Sequence, residues 1–151
     1  MTEIHRARVP DIAPETLYRI LWLRVAVFVV EQEAAYPEID GRDIEADAEL
    51  LWCASDGEVE ATLRLLREPH ALRIGRVATA AASRGRGLAA DLMRAALLRC
   101  AELDPGLPVL LDAQLQLEQW YGRFGFVRRG EVFAEDGIPH IPMVREAPAL
   151  A

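Results

Sequence analysis

The stretch from Val77 to Met93, VATAAASRGRGLAADLM, constrains this chain more than any other. It reads as a strand, a tight turn rich in arginine and glycine, and the first turns of an amphipathic helix. Gly85 and Gly87 let the backbone turn sharply and leave its N–H groups uncovered by side chains. The helix start adds N–H groups with no intrahelical partner and the positive end of its dipole. Such a turn is a natural anion site, and Arg84 and Arg86 can fork onto phosphate oxygens. The expected occupant carries a phosphate or pyrophosphate.

Composition narrows the classes of function. The 151 residues fit one domain, 1–151, and are 52% apolar and 27% charged, as in an ordinary soluble globular protein. Seventeen basic against twenty-four acidic side chains give a net charge of −7, which argues against nucleic acid as a partner. Every basic residue is an arginine, so Schiff-base lysine chemistry and a P-loop lysine are excluded. Cys53 and Cys100 fall in apolar stretches and read as buried free thiols. His5, His70 and His140 lie far apart with no cysteine nearby, so no metal is expected. The N-terminus lacks a signal pattern. The longest apolar run, Val25 to Val30, is too short to span a membrane. The expectation is a cytoplasmic protein with no membrane partner.

Along the chain, Glu3 to Val9 reads as a strand closed by Pro10. Pro14 and Glu15 mark a helix start, and Leu17, Ile20, Leu21, Arg24, Val25 and Phe28 recur at helical spacing through Gln32. Arg24 interrupts that apolar face; its stem either snorkels to solvent or brings a charge to a pocket. The acidic loop Glu31 to Asp43 follows. Glu49 to Ser55 and Val59 to Leu66 form a hairpin on Asp56-Gly57, and Leu72 to Ala80 leads into the glycine turn. After the second helix, Pro108 to Leu111 reads as a buried strand and Leu115 to Arg123 as a short helix ended by Gly125. Phe126 to Ala134 and Ile138 to Arg145 form a last hairpin on Asp136-Gly137, and Ala147 to Ala151 a tail.

This order weighs two phosphate readings. Gly85-Arg86-Gly87-Leu88-Ala89-Ala90 matches the loose dinucleotide pattern G-x-G-x-x-[GA]. A dinucleotide fold, however, places that turn after its first strand and follows it with several αβ units. Here four strands come first. A dinucleotide-binding enzyme is therefore the lesser alternative.

Arg84-Gly85-Arg86-Gly87-Leu88-Ala89 also matches [QR]-x-x-G-x-[GA]. With the element order and Gln114-x6-Tyr121-x3-Gly125-Phe126, the chain resembles the GCN5-related N-acetyltransferases (GNAT). Arg24-x2-Val27-Phe28-Val29-Val30-Glu31-Gln32, Tyr36-x3-Asp40-Gly41, Gly75-Arg76-Val77 and Glu135-Asp136-Gly137-Ile138-Pro139-His140-Ile141-x-Met143 are similar to the ElaA-like subfamily. Ala34-Ala35 stands where relatives carry a Cys-Pro pair, and Glu49 where a histidine is expected.

The resemblance implies an α/β (α+β) fold: a mixed, mostly antiparallel twisted sheet of about six to seven strands with about three to four flanking helices, splayed at an acyl-CoA cleft. It implies acetyl-CoA as co-substrate, bound by Val77, Ala78 and Thr79 on the strand, by Arg84, Gly85, Arg86, Gly87, Leu88 and Ala89 in the turn, and by Gln114. Direct acetyl transfer to a primary amine of a small molecule or peptide is the expected reaction, with Tyr121 as general acid to the departing thiolate. Glu31, Glu38, Asp40, Glu131 and His140 remain open as the base, with Glu31 and His140 placed at or near the pocket. Arg24, Tyr36, Glu38 and Asp40 are candidate acceptor-binding groups. A non-catalytic acyl-CoA-binding module and a homodimer through sheet edges or the final hairpin also stay open.

Overall fold

A computed structural model describes residues 2–147. The expected tail lies outside them except for Ala147. The elements in chain order are β1 (Ile4–Ala7), α1 (Pro14–Val25), β2 (Glu49–Ser55), β3 (Glu58–Glu68), β4 (Ala71–Thr79), α2 (Leu88–Leu103), β5 (Val109–Gln114), α3 (Glu118–Gly122), β6 (Val127–Arg128), β7 (Phe133–Glu135) and β8 (Ile138–Arg145). The strands form one open sheet in the order β1-β2-β3-β4-β5-β8-β6, with β7 also paired to β8.

Strand alternation decides what each face of the sheet covers. Leu51, Cys53, Leu63 and Leu65 point to one side and pack with Leu72 and Ile74 against Leu88, Leu92, Met93 and Ala96 of α2. Leu50, Trp52 and Val59 point to the other and pack with Ala78 against Ile20, Leu23 and Val27. Two helices thus cover opposite faces. Ile20, Leu92 and Met93 have no exposed surface, and burying a side chain of this size contributes about 1.5–3 kcal/mol.

Both predicted hairpin turns form on the expected dipeptides. Asp56 and Gly57 have φ of 52° and 79°, and Asp136 and Gly137 have 50° and 80°. Two successive left-handed residues match the right-handed twist of the strands they join.

Three features depart from the sequence reading. The first helix does not run evenly to Gln32: after Val25 it widens into a π-helical turn over Ala26–Glu31, with Gln32 N–H bonded to Val27 O at 3.3 Å. The change falls in a valine-rich run whose branched side chains crowd an α-helix. Second, 126–134 is not one strand, and the sheet has eight strands rather than six or seven. Pro139 and Pro142 of β8 carry no N–H to share, and Arg129 N–H bonds Pro142 O at 2.9 Å between the two pieces. Third, the expected helix 115–123 is split into a 3₁₀ turn, Leu115–Leu117, and α3, itself one turn and a half long.

The most consequential feature is the junction of β4 and β5. It is the sheet's parallel pair, matched only at Leu72↔Val109 and Arg73↔Leu110. β5 continues along β8 for six paired positions, to Gln114↔His140. β4 runs on with β3, to Ala61↔Thr79. Past Arg73 and Leu110 the two strands part.

Candidate active site

The gap between the parted strands is a cleft of about 380 Å³. Gly75, Arg76 and Val77 of β4 line one wall, Leu111, Asp112 and Gln114 of β5 the other, and Tyr121, Tyr36 and His140 also face it. Val77 therefore belongs to the cleft, whereas Ala78 packs against the α1 side of the sheet. Of the expected strand residues, Val77 lines the cleft, and Ala78 and Thr79 do not.

β4 leads from this cleft through a short 3₁₀ turn, Ala81–Ser83, into the glycine turn. Gly85 and Gly87 have φ of 82° and 76°, a conformation that glycine adopts without a Cβ penalty. Gly87 caps α2, and the first helical bond runs from Asp91 N–H to Gly87 O at 3.0 Å. The N–H groups of Leu88, Ala89 and Ala90 thus have no helical acceptor. The Leu88 side chain is in the core, so this residue offers the turn only its backbone.

Both turn arginines have carboxylate partners. Arg84 Nη2 donates to Glu31 Oε1 at 2.8 Å and its Nε to Thr79 O at 3.2 Å. That hydrogen bond holds the Glu31 carboxyl below its ordinary pKa. Arg86 pairs with Glu60, which also accepts from Ser83 Oγ at 2.9 Å. Glu31 therefore faces the turn, and it is not among the residues lining the cleft.

Tyr121 is nearly buried on α3, with its ring edge-on to Trp120 and Phe126. Burial alone pushes its phenol above the ordinary range. At physiological pH it is a neutral O–H, a proton donor and not a base. His140 stacks on Phe133, and its Nδ1 lies 2.8 Å from Ile138 O. A carbonyl only accepts, so Nδ1 carries a proton; in the neutral imidazole the lone pair is then on Nε2. Glu135 Oε2 is 3.9 Å from that Nε2. Gln114 Nε2 donates to Gln32 Oε1 at 3.2 Å, joining β5 to the end of the π-helical turn.

The acidic loop needs a correction. Arg24 and Glu38, expected among the acceptor-binding groups, are 1% and 3% exposed and hold each other. Arg24 Nε donates to Glu38 Oε2 at 2.7 Å, and its Nη1 and Nη2 donate to Asp43 Oδ1 and Oδ2 at 2.5 and 3.2 Å. Arg24 neither snorkels nor lines a pocket; a guanidinium this deep needs carboxylates of its own. Asp40 accepts from Arg64 Nη1 at 2.8 Å and Nη2 at 3.2 Å, and from the Arg42 N–H at 3.0 Å. Partial burial opposes its charge but is outweighed by these bonds and by the Arg64 and Arg76 charges, so its carboxyl is lowered to about 2. Tyr36 donates its O–H to Glu38 Oε1 at 2.8 Å. Of the four candidates, Tyr36 and Asp40 line the cleft and Arg24 and Glu38 do not.

Glu131 likewise stays outside the cleft lining. Glu49 is bound by Arg99 at 2.9 and 2.7 Å, tying β2 to α2. Sequence reasoning missed Arg64, Asp43 and Arg76, which complete the buried charge network, and Arg42, Glu68 and Arg73, which form a second one on the cleft wall. The available signal was an arginine set among leucines, Leu63-Arg64-Leu65, since a buried cation requires an anion. No group of three or more His, Cys, Asp or Glu among the described residues is arranged to hold a metal. No described helix is long and apolar enough to cross a membrane.

Comparison with known proteins places this architecture. A family model described as an acetyltransferase (GNAT) domain matches residues 9–147. A UPF0039 protein of Mycobacterium tuberculosis is 45% identical, over 96% of this chain and 94% of its own. Escherichia coli ElaA is 41% identical over 90% and 91%, and its crystal structure superposes with a TM-score of 0.91, covering 97% of this chain and all of the other. An acyl-CoA N-acyltransferase from Pseudomonas aeruginosa also superposes at 0.91, with 42% identity over 96% and 99% of the two chains. With its open mixed sheet, its parted β4 and β5 and its glycine turn, the chain belongs to the GNAT acetyltransferase family, an acyl-CoA-using acyltransferase fold of the ElaA-like subfamily.

Proposed function

We propose that the protein transfers an acetyl group from acetyl-CoA to a primary amine of a small molecule or peptide by direct attack. The observation that carries this reading is the run of β4 from the cleft at Val77 to the glycine turn at Gly85–Gly87, with Tyr121 and His140 facing the same cleft. Amides of the turn and of the α2 start would take the pyrophosphate, with Arg84 and Arg86 alongside. Backbone N–H groups of β4 and the Gln114 amide would take the pantetheine arm.

In the reaction, the bound ammonium first gives one proton to water; the amine lone pair then forms the new C–N bond at the thioester carbon and the carbonyl electrons move to oxygen. An N–H of the β4 wall stabilises that oxyanion, a contribution of a few kcal/mol when well aimed. The ammonium proton passes to the free Nε2 of His140, directly or through one water. Collapse breaks the C–S bond, and the departing thiolate takes the Tyr121 proton. Tyr121 and His140 then exchange with solvent to return to their starting states.

The acceptor is best read as a cationic amine. Among the charged groups lining the cleft, Asp40 is matched by Arg64 and Arg76, and Glu68 by Arg42 and Arg73. Glu135 and Asp136 add negative charge at the hairpin side of the cleft.

A thermal-shift titration tests the donor. Ligand at a hundred times its dissociation constant should add about 2.7 kcal/mol of stability. Acetyl-CoA and free coenzyme A should stabilise the wild type, NAD should not, and Gly87→Asp should lose the effect by placing a charged side chain on a left-handed backbone at the anion site. Tyr121→Phe should keep binding and lose roughly 10²–10⁴-fold in coenzyme A release with an amine panel. Stabilisation by NAD alone would sink the reading, as would unchanged release in Tyr121→Phe.

A further inference from the structure

The cleft wall of β4 is irregular in a specific way. Thr62 pairs with Ala78 and Arg64 with Gly75, so the single residue Leu63 of β3 stands opposite two, Arg76 and Val77. This is a β-bulge, which leaves one backbone unit out of the ladder. Bulges that need a left-handed residue normally use glycine. Gly75 is available one position earlier, yet the left-handed residue is Arg76, with φ of 53°. A side chain held there is strained and persists only when its surroundings over-determine it.

The acidic loop supplies those surroundings. Arg76 Nη2 donates to Glu38 O and to Asp40 Oδ2, both at 3.2 Å. Its Nε lies 2.9 Å from Glu38 Oε1, too oblique for a hydrogen bond. Its guanidinium stands 5.6 Å over the Tyr36 ring, a cation–π distance. Each partner is itself fixed: Glu38 by Arg24 of α1, Asp40 by Arg64 of β3. The bulge is thus tied through one side chain to a buried charge network that spans the helix, the acidic loop and the neighbouring strand. It lies just beyond the last β4–β5 pair, where the cleft opens.

We propose that Arg76 is a positioning residue for acyl transfer. Clamped by Glu38, Asp40 and Tyr36, it holds the β4 bulge so that the Val77 N–H is turned out of the β3 ladder and aimed at the thioester carbonyl. The acidic loop then acts on the chemistry through Arg76 and not by binding the acceptor. The proposal rests on the acyl-transfer reading above. A merely structural Arg76 would dock the loop on the sheet and leave the carbonyl unaffected.

Isotope-edited infrared spectroscopy of acetyl-CoA labelled with ¹³C at the thioester carbonyl separates the two. Bound to wild type, the labelled carbonyl should absorb at lower wavenumber than in free acetyl-CoA, the signature of a hydrogen bond to its oxygen. Arg76→Gly accepts the left-handed backbone without strain and removes only the clamp. It should bind acetyl-CoA with affinity within a few-fold of wild type, because the glycine turn is untouched, while the band returns to the free position. Arg76→Lys and Asp40→Asn should fall between. A wild-type band in folded Arg76→Gly overturns the proposal. If circular dichroism shows Arg76→Gly unfolded, Asp40→Asn decides, since it leaves Arg76 in place and loosens its partner: a band at the wild-type position there overturns the proposal too. Wild type that fails to bind acetyl-CoA, or binds it with the free band, removes the acyl-transfer reading itself, an outcome distinct from both.

Discussion

Arg24 Nε donates to Glu38 Oε2 at 2.7 Å across fourteen residues of chain, with side chains 1% and 2% exposed. Removing one member of such a pair leaves the other charged and dry, which typically costs 3–5 kcal/mol. Arg24→Met is expected to lose about that much in urea unfolding, at unchanged m-value. A loss under about 1 kcal/mol would mean that water reaches Glu38 and Asp43 after all.

Asp40 gives the fold an acid limit. Its carboxyl is held at about 2 in the folded state and would titrate near ~4 when unfolded. The unfolded chain therefore binds the proton first, so the contribution is complete above pH ~4 and is lost as pH falls toward 2. With solvent screening of this partly exposed group it is on the order of 1 kcal/mol. Asp40→Asn should flatten that part of the stability–pH curve; an unchanged slope between pH 5 and about 2.5 would contradict it.

The Arg84–Glu31 pair is open to solvent, each side chain 44% exposed, and such pairs contribute about 0–1 kcal/mol. Glu31→Gln should leave the melting temperature nearly unchanged. It should raise acetyl-CoA affinity a few-fold at low salt by freeing Arg84 for the pyrophosphate, and the gain should shrink as salt screens it. Calorimetric titration at two salt concentrations checks this; weaker binding would show that Glu31 assists the turn.

The thiols of Cys53 and Cys100 are buried and free. Burial pushes the Cys100 thiol up to about 11 and raises that of Cys53 as well. Since the thiolate is the reactive form, native protein at neutral pH should resist iodoacetamide, and denatured protein should take up two equivalents. Rapid labelling of either cysteine in the native state would show local opening beside α2 or β2.

Much of this fold was legible because its signals are local. Alternating apolar residues in β2 and β3, Asp-Gly at both hairpins, and Gly85 and Gly87 before an amphipathic helix each act within a few residues. The acidic loop misled for the opposite reason. Glu38 and Asp40 look like solvated or substrate-facing acids until Arg24, Arg64 and Arg76 converge on them from three separate elements. No periodicity connects positions 24, 38, 43, 64 and 76. The split of 126–134 was hidden similarly: Gly130 lies against Pro142, where a Cβ would come within 2.8 Å of the ring, a contact twelve residues away.

Two register pairs are all that ladder β4 to β5, so the sheet behaves as two panels joined by a short seam. α1 covers one face of the β1–β4 panel, and α2 packs across the other face against both panels, with Leu63 and Leu72 on one side of the seam and Leu111 and Met143 on the other. Amides of 74–77 and 111–113 that face the gap should exchange hydrogen with solvent sooner than those deeper in each panel. An occupant that bonds both edges would slow that exchange without repacking either core. Entry and departure of a ligand can then be followed as the protection of a few edge amides while the rest of the exchange map stays still.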